Sequence, residues 1–171
     1  MKNREYYTNG NLKAEYERNE RGEKEGYELL YYESGVLKAE YHYKAGKLHG
    51  VTKEYYENGN LVAEGNYRNG MLEGLSRIYY ESGKLKAESS YKNDALDGLC
   101  KMYYESGQLR SENSYKNNLL NGISKTYYEN GQLKEEVNYK DGQVVQENLE
   151  TELKDFCNIA YEDDKLKLEF D

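Results

Sequence analysis

The sequence predicts an all-β fold, an elongated single-layer antiparallel meander built from 24-residue hairpin repeats. A Tyr-Tyr pair recurs with a step of 25 residues once and 24 thereafter, at Tyr6/Tyr7, Tyr31/Tyr32, Tyr55/Tyr56, Tyr79/Tyr80, Tyr103/Tyr104 and Tyr127/Tyr128. A fixed period in this range is the signature of stacked repeats. Each repeat also holds two turn dipeptides, such as Asn58-Gly59 and Asn69-Gly70, that tolerate positive φ at both centres of a type I′ hairpin turn.

If these dipeptides are the turns, the pairing register follows, and charged residues test it. Arg77 would face Glu88, and the same offset pairs Lys53 with Glu64, Lys101 with Glu112, Lys125 with Glu136 and Arg4 with Glu15. Opposite charges on neighbouring strands are what cross-strand pairing favours. The same register sets a tyrosine opposite a strand glycine in each repeat, Tyr67 over Gly50 for example, and sets Tyr79 opposite Lys86, where a cation would lie over a ring.

Strand alternation sorts the side chains into an aromatic face of rings and small residues and a charged, solvated face. Open sheets of more than ~10 strands usually curl, so we expect the aromatic face to form a groove. The predicted binding residues of this groove are Tyr32, Tyr43, Tyr56, Tyr67, Tyr80, Tyr91, Tyr104, Tyr115, Tyr128 and Tyr139. The alternative is that the rings pack against each other and fill the groove themselves.

Two regions are expected. Residues 1–146 form the array of about six repeats, the first of which is atypical, as terminal repeats that cap a stack often are. Residues 147–171 form a short acidic cap, in which Asn148 would cap a helix with Leu149, Leu153 and Phe156 on one face, followed by a strand over 165–170. This cap is expected to cover the open end of the array.

Composition excludes several classes of function. The chain is 37% hydrophobic and 33% charged, so a thick globular core is not expected. A net charge of −8 argues against nucleic acid and anionic membrane lipid as partners. The N-terminus has no apolar segment of a signal peptide. The protein would be cytoplasmic as the chain stands, or secreted or on the cell surface if a leader was removed, and two cysteines do not decide the redox compartment.

The sequence carries no recognisable catalytic chemistry. His42 and His49 face each other in the register, but no cysteine or further histidine joins them, so a surface pair is the better interpretation than a metal site. The glycines lie in hairpin turns rather than before a helix, as a phosphate-binding loop requires. The glutamates face lysine or arginine, which keeps them ionised and unsuited to acid catalysis. We therefore predict a non-enzyme without a cofactor or a bound metal.

The two halves of each repeat resemble a known family. Units of the form YYENGxLxxE, as in residues 55–64, and YKxGxLxG, as in residues 43–50, are similar to the bacterial variant of MORN repeats over roughly residues 3 to 146. The resemblance implies a long single-layered sheet, commonly curled into a half-pipe, that serves as an interaction or membrane-associated scaffold. The variant repeats are often labelled antitoxin components of toxin-antitoxin systems. Here nearly all aromatic positions are tyrosine, and basic residues are balanced by glutamate.

The leading functional hypothesis is a non-catalytic scaffold that binds a protein or peptide through the tyrosine-lined face. Self-association through the ends of the array is a further expectation. A cell-wall or glycan-binding module, in which the rings stack on sugars, is the first alternative, although it would usually favour tryptophan. An antitoxin-like protein that neutralises a toxin is the second alternative.

Overall fold

A computed structural model describes residues 2–145, and all regular structure in this part is β-strand. No helix in this part is long and apolar enough to cross a membrane. The strands are β1 (Lys2–Tyr6), β2 (Leu12–Arg18), β3 (Lys24–Tyr31), β4 (Leu37–Lys44), β5 (Lys47–Leu48), β6 (Gly50–Tyr55), β7 (Leu61–Arg68), β8 (Met71–Leu72), β9 (Gly74–Tyr79), β10 (Leu85–Lys92), β11 (Ala95–Tyr103), β12 (Leu109–Lys116), β13 (Leu119–Leu120), β14 (Gly122–Tyr127), β15 (Leu133–Lys140) and β16 (Gln143–Val144).

The strands form one open antiparallel sheet in which chain order is sheet order, which confirms the predicted meander. The short strands β5, β8 and β13 each pair with the strand before them and lead into β6, β9 and β14. The glycine at each of these junctions has positive φ, for example +101° at Gly50 and +80° at Gly74, a conformation that side chains other than glycine rarely adopt. The predicted cap over residues 147–171 lies outside the described residues.

The predicted register is confirmed at every charged pair. Arg77 is opposite Glu88, and Lys53, Lys101, Lys125 and Arg4 are opposite their expected glutamates. Four of these five pairs are also ion pairs, with distances of 2.7 Å for Arg4 with Glu15 and 3.7 Å for Arg77 with Glu88. The tyrosine-over-glycine pairing is also present, as in Gly50 with Tyr67.

One of the two turn types is the predicted type I′. Both central residues have positive φ at Ala45-Gly46, Asn69-Gly70, Asn93-Asp94, Asn117-Asn118 and Asp141-Gly142. These tight turns also join the repeats, because the second turn residue donates its backbone N–H to a carbonyl of the preceding repeat. Gly70 donates to Leu48 at 2.7 Å and Gly142 to Leu120 at 2.8 Å.

The other turn type differs from the prediction. At the Ser82-Gly83 turn only the glycine has positive φ, Gly83 N–H donates to Tyr80 O at 2.8 Å, and Tyr80 N–H donates to Lys84 O at 2.8 Å. This is a three-residue loop, a type I turn followed by a glycine bulge, rather than a type I′ turn. The bulge shifts the pairing, so Tyr79 is opposite Leu85 and the expected pairing of Tyr79 with Lys86 was wrong.

The two faces of the sheet differ as expected. All of the buried side chains found in residues 2–145 lie on the aromatic face, namely Ala14, Ala39, Glu28, Thr52 and Ser111. The other face carries a row of alternating charge that crosses the sheet through Glu40, Lys53, Glu64, Arg77, Glu88, Lys101, Glu112, Lys125 and Glu136. In residues 2–145 the sheet is a single layer, so no second layer encloses its side chains. Contacts between neighbouring repeats therefore replace a central core.

Candidate binding face

The predicted site tyrosines fall into two rows on the aromatic face. A turn row lies at the wide turns, the three-residue loops of which Ser82-Gly83 is an example, and contains the predicted residues Tyr32, Tyr56, Tyr80, Tyr104 and Tyr128 together with Tyr7, which was not predicted as a site residue. An inner row lies near the tight turns and contains Tyr43, Tyr67, Tyr91, Tyr115 and Tyr139. Tyr128 is half exposed, and the other nine predicted site residues are partly buried. Within the described residues no two rings of these rows stack on each other.

The turn row holds successive repeats together. The hydroxyl of Tyr80 donates to the backbone carbonyl of Tyr103 at 2.8 Å. The same bond recurs along the array from Tyr7 to Tyr31, from Tyr32 to Tyr55, from Tyr56 to Tyr79 and from Tyr104 to Tyr127, at 2.7 to 3.0 Å. These hydroxyls are therefore already used within the fold.

Cations lie over five of the six rings of the turn row. The Nζ atom of Lys86 lies 5.4 Å from the centroid of Tyr80, and Arg110 Cζ lies 5.8 Å from that of Tyr104. Lys13, Lys38 and Lys134 lie over the equivalent rings of their repeats. In the register predicted from the sequence, these cations lie opposite the first tyrosine of each pair. The glycine bulge moves them to the second.

The hydroxyls of the inner row make fewer hydrogen bonds than those of the turn row. Among residues 2–145, the hydroxyls of Tyr67, Tyr91, Tyr115 and Tyr139 have no hydrogen-bond partner. The strand opposite each ring supplies a glycine, Gly74 opposite Tyr91 for example, and the tight hairpin places a leucine or valine beside it. Leu72 packs so closely over Gly65 that an added Cβ would lie 2.8 Å from its Cδ1 atom.

The floor between the two rows is uncharged over most of its length. Strand alternation places Leu61, Ala63, Gly65 and the equivalent residues of later repeats on this face, and no Asp, Glu, Lys or Arg occupies it from Leu61 to Thr126. Ile78 is 45% exposed there, which gives the floor an apolar patch. Since a third of the chain is charged, an uncharged floor across nearly three repeats is a marked segregation.

The N-terminal end of this face is different. Lys24 and Glu28 stand where later repeats have leucine and a small residue such as Ser76, and they form an ion pair with each other. Glu28 is only 6% exposed, and Lys24 Nζ lies 4.9 Å from the centroid of Tyr43. A concavity of about 380 Å³ opens beside them, lined also by Tyr16 and Leu30. The two departures from the repeat therefore compensate each other.

Burial and nearby carboxylates raise the pKa of several tyrosines. Burial raises the pKa of Tyr43 to about 12, with repulsion by Glu28 and a hydrogen bond to it adding to the shift. The pKa of Tyr41 is raised further, mainly by burial and by the hydrogen bond that its hydroxyl donates to Glu54 at 2.7 Å. Burial likewise raises the pKa of Tyr67 and Tyr115 in the inner row. These hydroxyls are neutral donors at neutral pH.

The opposite face carries an apolar stripe within the face that the sequence predicted to be charged and solvated. Val51, Leu75, Leu99 and Ile123 are 40–54% exposed and recur at the repeat period. They follow the positive-φ glycines directly, so the repeat could have revealed them. Beside them the charge row is reinforced by Tyr79 and Tyr103, whose hydroxyls donate to Glu64 and Glu88.

Two smaller features bear on chemistry. The ring Nδ1 of His42 contacts the carbonyl oxygen of His49, while His49 Nδ1 has no partner within the described part of the chain. Residues 2–145 contain no group of three or more His, Cys, Asp or Glu side chains able to hold a metal ion. Cys100 lies 3.0 Å from Ser89 Oγ, in the slot that other repeats fill with small side chains.

Comparison with known families accounts for the repeat. The model of the MORN repeat variant matches residues 2–19, 24–45, 48–69, 72–93, 96–117 and 120–141. The five later segments each end at or directly before a tight turn, so the family unit runs from one tight turn to the next. Such repeats are generally non-catalytic modules that often bind partners. No curated protein matches the chain. With six matched repeats that span most of its length, the chain belongs to the MORN repeat variant family.

Proposed function

We propose that this repeat scaffold binds a protein or peptide partner through its aromatic face, with the inner-row tyrosines as the contact residues. The observation that carries this is the free hydroxyls of Tyr67, Tyr91, Tyr115 and Tyr139 above an uncharged floor. Tyrosine rings of this kind supply contact area and a hydrogen-bond donor at low entropic cost. The turn row has a supporting role, because five of its six hydroxyls already join the repeats.

Charge favours this face over the opposite one. The opposite face is crossed by ion pairs such as Lys101 with Glu112 at 3.2 Å, and a partner would have to desolvate them. The aromatic face imposes no such cost between Leu61 and Thr126. The exposed side chain of Ile78 on this floor adds to the surface that a partner would bury.

The test is selection of binders from a random peptide library displayed on phage, with the immobilised full chain as bait. One variant carries Tyr67→Ser, Tyr91→Ser, Tyr115→Ser and Tyr139→Ser. The matched control carries four serines on the opposite face, Val51→Ser, Leu75→Ser, Leu99→Ser and Ile123→Ser. Circular dichroism establishes that both remain folded.

We expect peptides selected on the intact chain to bind the control but not the tyrosine variant, as measured by fluorescence anisotropy of individual peptides. Peptides that bind the tyrosine variant but not the control would move the site to the apolar stripe. A library that yields no specific peptide from any bait would overturn the proposal.

A further inference from the structure

We propose that the ligand of the inner row is an uncharged, proline-rich segment in the polyproline II conformation. This inference rests on the proposed function and names the chemical class of the partner. It follows from three properties of the inner row: the spacing of its rings, its free hydroxyl donors and the lack of charge on the floor beside it.

The spacing of the rings comes from the sheet. Tyr67, Tyr91, Tyr115 and Tyr139 occur on every second full strand, each in register with a glycine of the strand between. Neighbouring strands lie about 4.8 Å apart, so successive rings are about 9.6 Å apart and the four rings span about 29 Å. A ligand that contacts every ring must repeat at the same interval.

Only one regular peptide conformation has that interval. A polyproline II helix has three residues per turn and a rise of about 3.1 Å, which gives about 9.3 Å per turn. The error over three intervals is about 1 Å. Two turns of α-helix span about 10.8 Å, and the error grows to about 4 Å. In an extended strand the residues of one side recur at about 6.7 Å, which comes within about 1 Å of the third ring but misses the second and fourth rings by about 2–3 Å.

Hydrogen bonding favours the same ligand. A polyproline II segment makes no internal backbone hydrogen bonds, so its carbonyls are available as acceptors. The hydroxyls of Tyr67, Tyr91, Tyr115 and Tyr139 are donors without partners in the described chain, and tyrosine hydroxyls are protonated at neutral pH. Aromatic rings that pack on proline and donate to backbone carbonyls are a recurring mode of recognition for such segments.

Charge complementarity sets the composition. The floor is uncharged from Leu61 to Thr126. The carboxylates of Asp94 and Glu54 act on Tyr67, which lies at one end of the four rings. A lysine or glutamate in the middle of the ligand would therefore lose hydration without gaining a partner. Ten residues place positions 1, 4, 7 and 10 at the four rings. Four partly exposed rings bury much less than the roughly 1,600 Å² of a standard protein interface, so the complex would be a weak one.

The experiment titrates the full chain against labelled oligoproline peptides of four, seven, ten and thirteen residues, with a ten-residue Gly-Ser peptide as the unstructured control. We expect affinity to rise from four to ten prolines and then to level off, and the Gly-Ser peptide to bind at least ten-fold more weakly. Replacing the hydroxyls alone, with Tyr67→Phe, Tyr91→Phe and Tyr115→Phe, should weaken the ten-residue peptide by about five-fold per lost hydrogen bond. The matched control, Tyr80→Phe with Tyr104→Phe, should bind as the parent does.

Other outcomes overturn the inference. Equal binding of the Gly-Ser peptide, or unchanged binding by the inner-row phenylalanine variant, would exclude polyproline recognition by these hydroxyls. If phage selection yields tyrosine-dependent peptides that lack proline, the proposed function survives and this ligand class fails. If neither selection nor oligoproline gives binding, and sedimentation shows a dimer that the inner-row serine variant abolishes, the face is covered by a second copy and both proposals fail.

Discussion

At the scale of single residues, the two tyrosine rows differ in role. Turn-row hydroxyls such as that of Tyr80 join neighbouring repeats, whereas inner-row hydroxyls such as that of Tyr91 are available to a partner. We expect Tyr80→Phe to lower the free energy of unfolding by about 1 kcal/mol, since it removes the hydroxyl that donates to Tyr103 O at 2.8 Å and leaves that carbonyl short of a partner. Tyr91→Phe should change stability by less than ~0.5 kcal/mol, because its hydroxyl has no partner to lose. Urea unfolding measures both. Equal losses would show that the rows do not differ in role.

The tyrosines also predict an alkaline transition. The unfolded pKa of tyrosine is about 10, and burial raises that of Tyr43 to about 12 and that of Tyr41 further. A tyrosine whose pKa is raised in the folded state keeps its proton to a higher pH when the protein is folded. Its contribution to stability is therefore complete below pH ~10 and is lost as the pH rises from there toward the folded pKa. The melting temperature should therefore fall between pH 10 and 12.

Absorbance at 295 nm and circular dichroism, recorded together, measure this transition. Glu28→Gln should lower the pKa of Tyr43, since it removes a repelling carboxylate, while the shift caused by burial remains. If all tyrosines ionise near pH 10 with no change in the dichroism, their environments are not those described.

At the scale of elements, the glycine bulge of the wide turns should be costly to alter. Gly107 has φ of +94°, and an added Cβ would meet no atom within 4 Å, so Gly107→Ala isolates the backbone effect. We expect a loss of about 1–2 kcal/mol, the cost of holding an L-residue in the left-handed region. Ser106→Ala, the adjacent control, should cost less than ~0.5 kcal/mol. Equal effects in chemical denaturation would contradict the assigned turn.

The charge row is a second property of the strands. Arg77 lies between two carboxylates, 3.1 Å from Glu64 and 3.7 Å from Glu88. Double-mutant cycles with alanine should give a small favourable coupling, larger for Glu64 than for Glu88 and reduced in 1 M NaCl. Reversing both Arg77 and Glu88 should restore stability only in part, because the new carboxylate would still face Glu64. A coupling energy of zero between Arg77 and Glu64 would show that the charge row does not stabilise the fold.

Much of the fold was predictable from the sequence because the repeat checks itself. One offset placed Arg77 opposite Glu88 and Tyr67 opposite Gly50, and the structure has both pairs. The wide turn was mispredicted because a Ser-Gly or Asn-Gly dipeptide suits both a type I′ turn and a type I turn with a bulge. The dipeptide does not fix the loop length. The backbone hydrogen bonds of Tyr80 do.

The sequence predicted which tyrosines share the aromatic face, but it did not predict which of them have a free hydroxyl. Alternation placed all ten tyrosines on one face, but nothing in the residue type separates Tyr80, whose hydroxyl joins two repeats, from Tyr91, whose hydroxyl is free. That difference depends on where each ring lies relative to the next hairpin. The apolar stripe of Leu75 and its equivalents was visible in the repeat, yet it was hidden by the charges that surround it.

At the scale of the whole molecule, equivalent repeats should be interchangeable. In one-dimensional arrays each repeat contacts only its neighbours, so deleting residues 79–102 should leave a folded chain. The new junction would follow Ile78 with the Tyr-Tyr pair Tyr103/Tyr104. The chemistry of the lost interface is then restored, with Arg77 opposite Glu112, Gly74 opposite Tyr115, and the Tyr56 hydroxyl donating to the carbonyl of Tyr103.

Two measurements follow from this deletion. Small-angle scattering should show a maximum dimension shorter by about 9.6 Å, the width of two strands, and circular dichroism should keep its β-sheet signal. The ladder loses Tyr91, so the oligoproline length at which affinity levels off should fall from ten residues to seven. A chain that fails to fold would show that the repeats are not equivalent. A folded, shorter chain whose affinity still levels off at ten prolines would show that the number of inner-row rings does not set the length of the bound peptide.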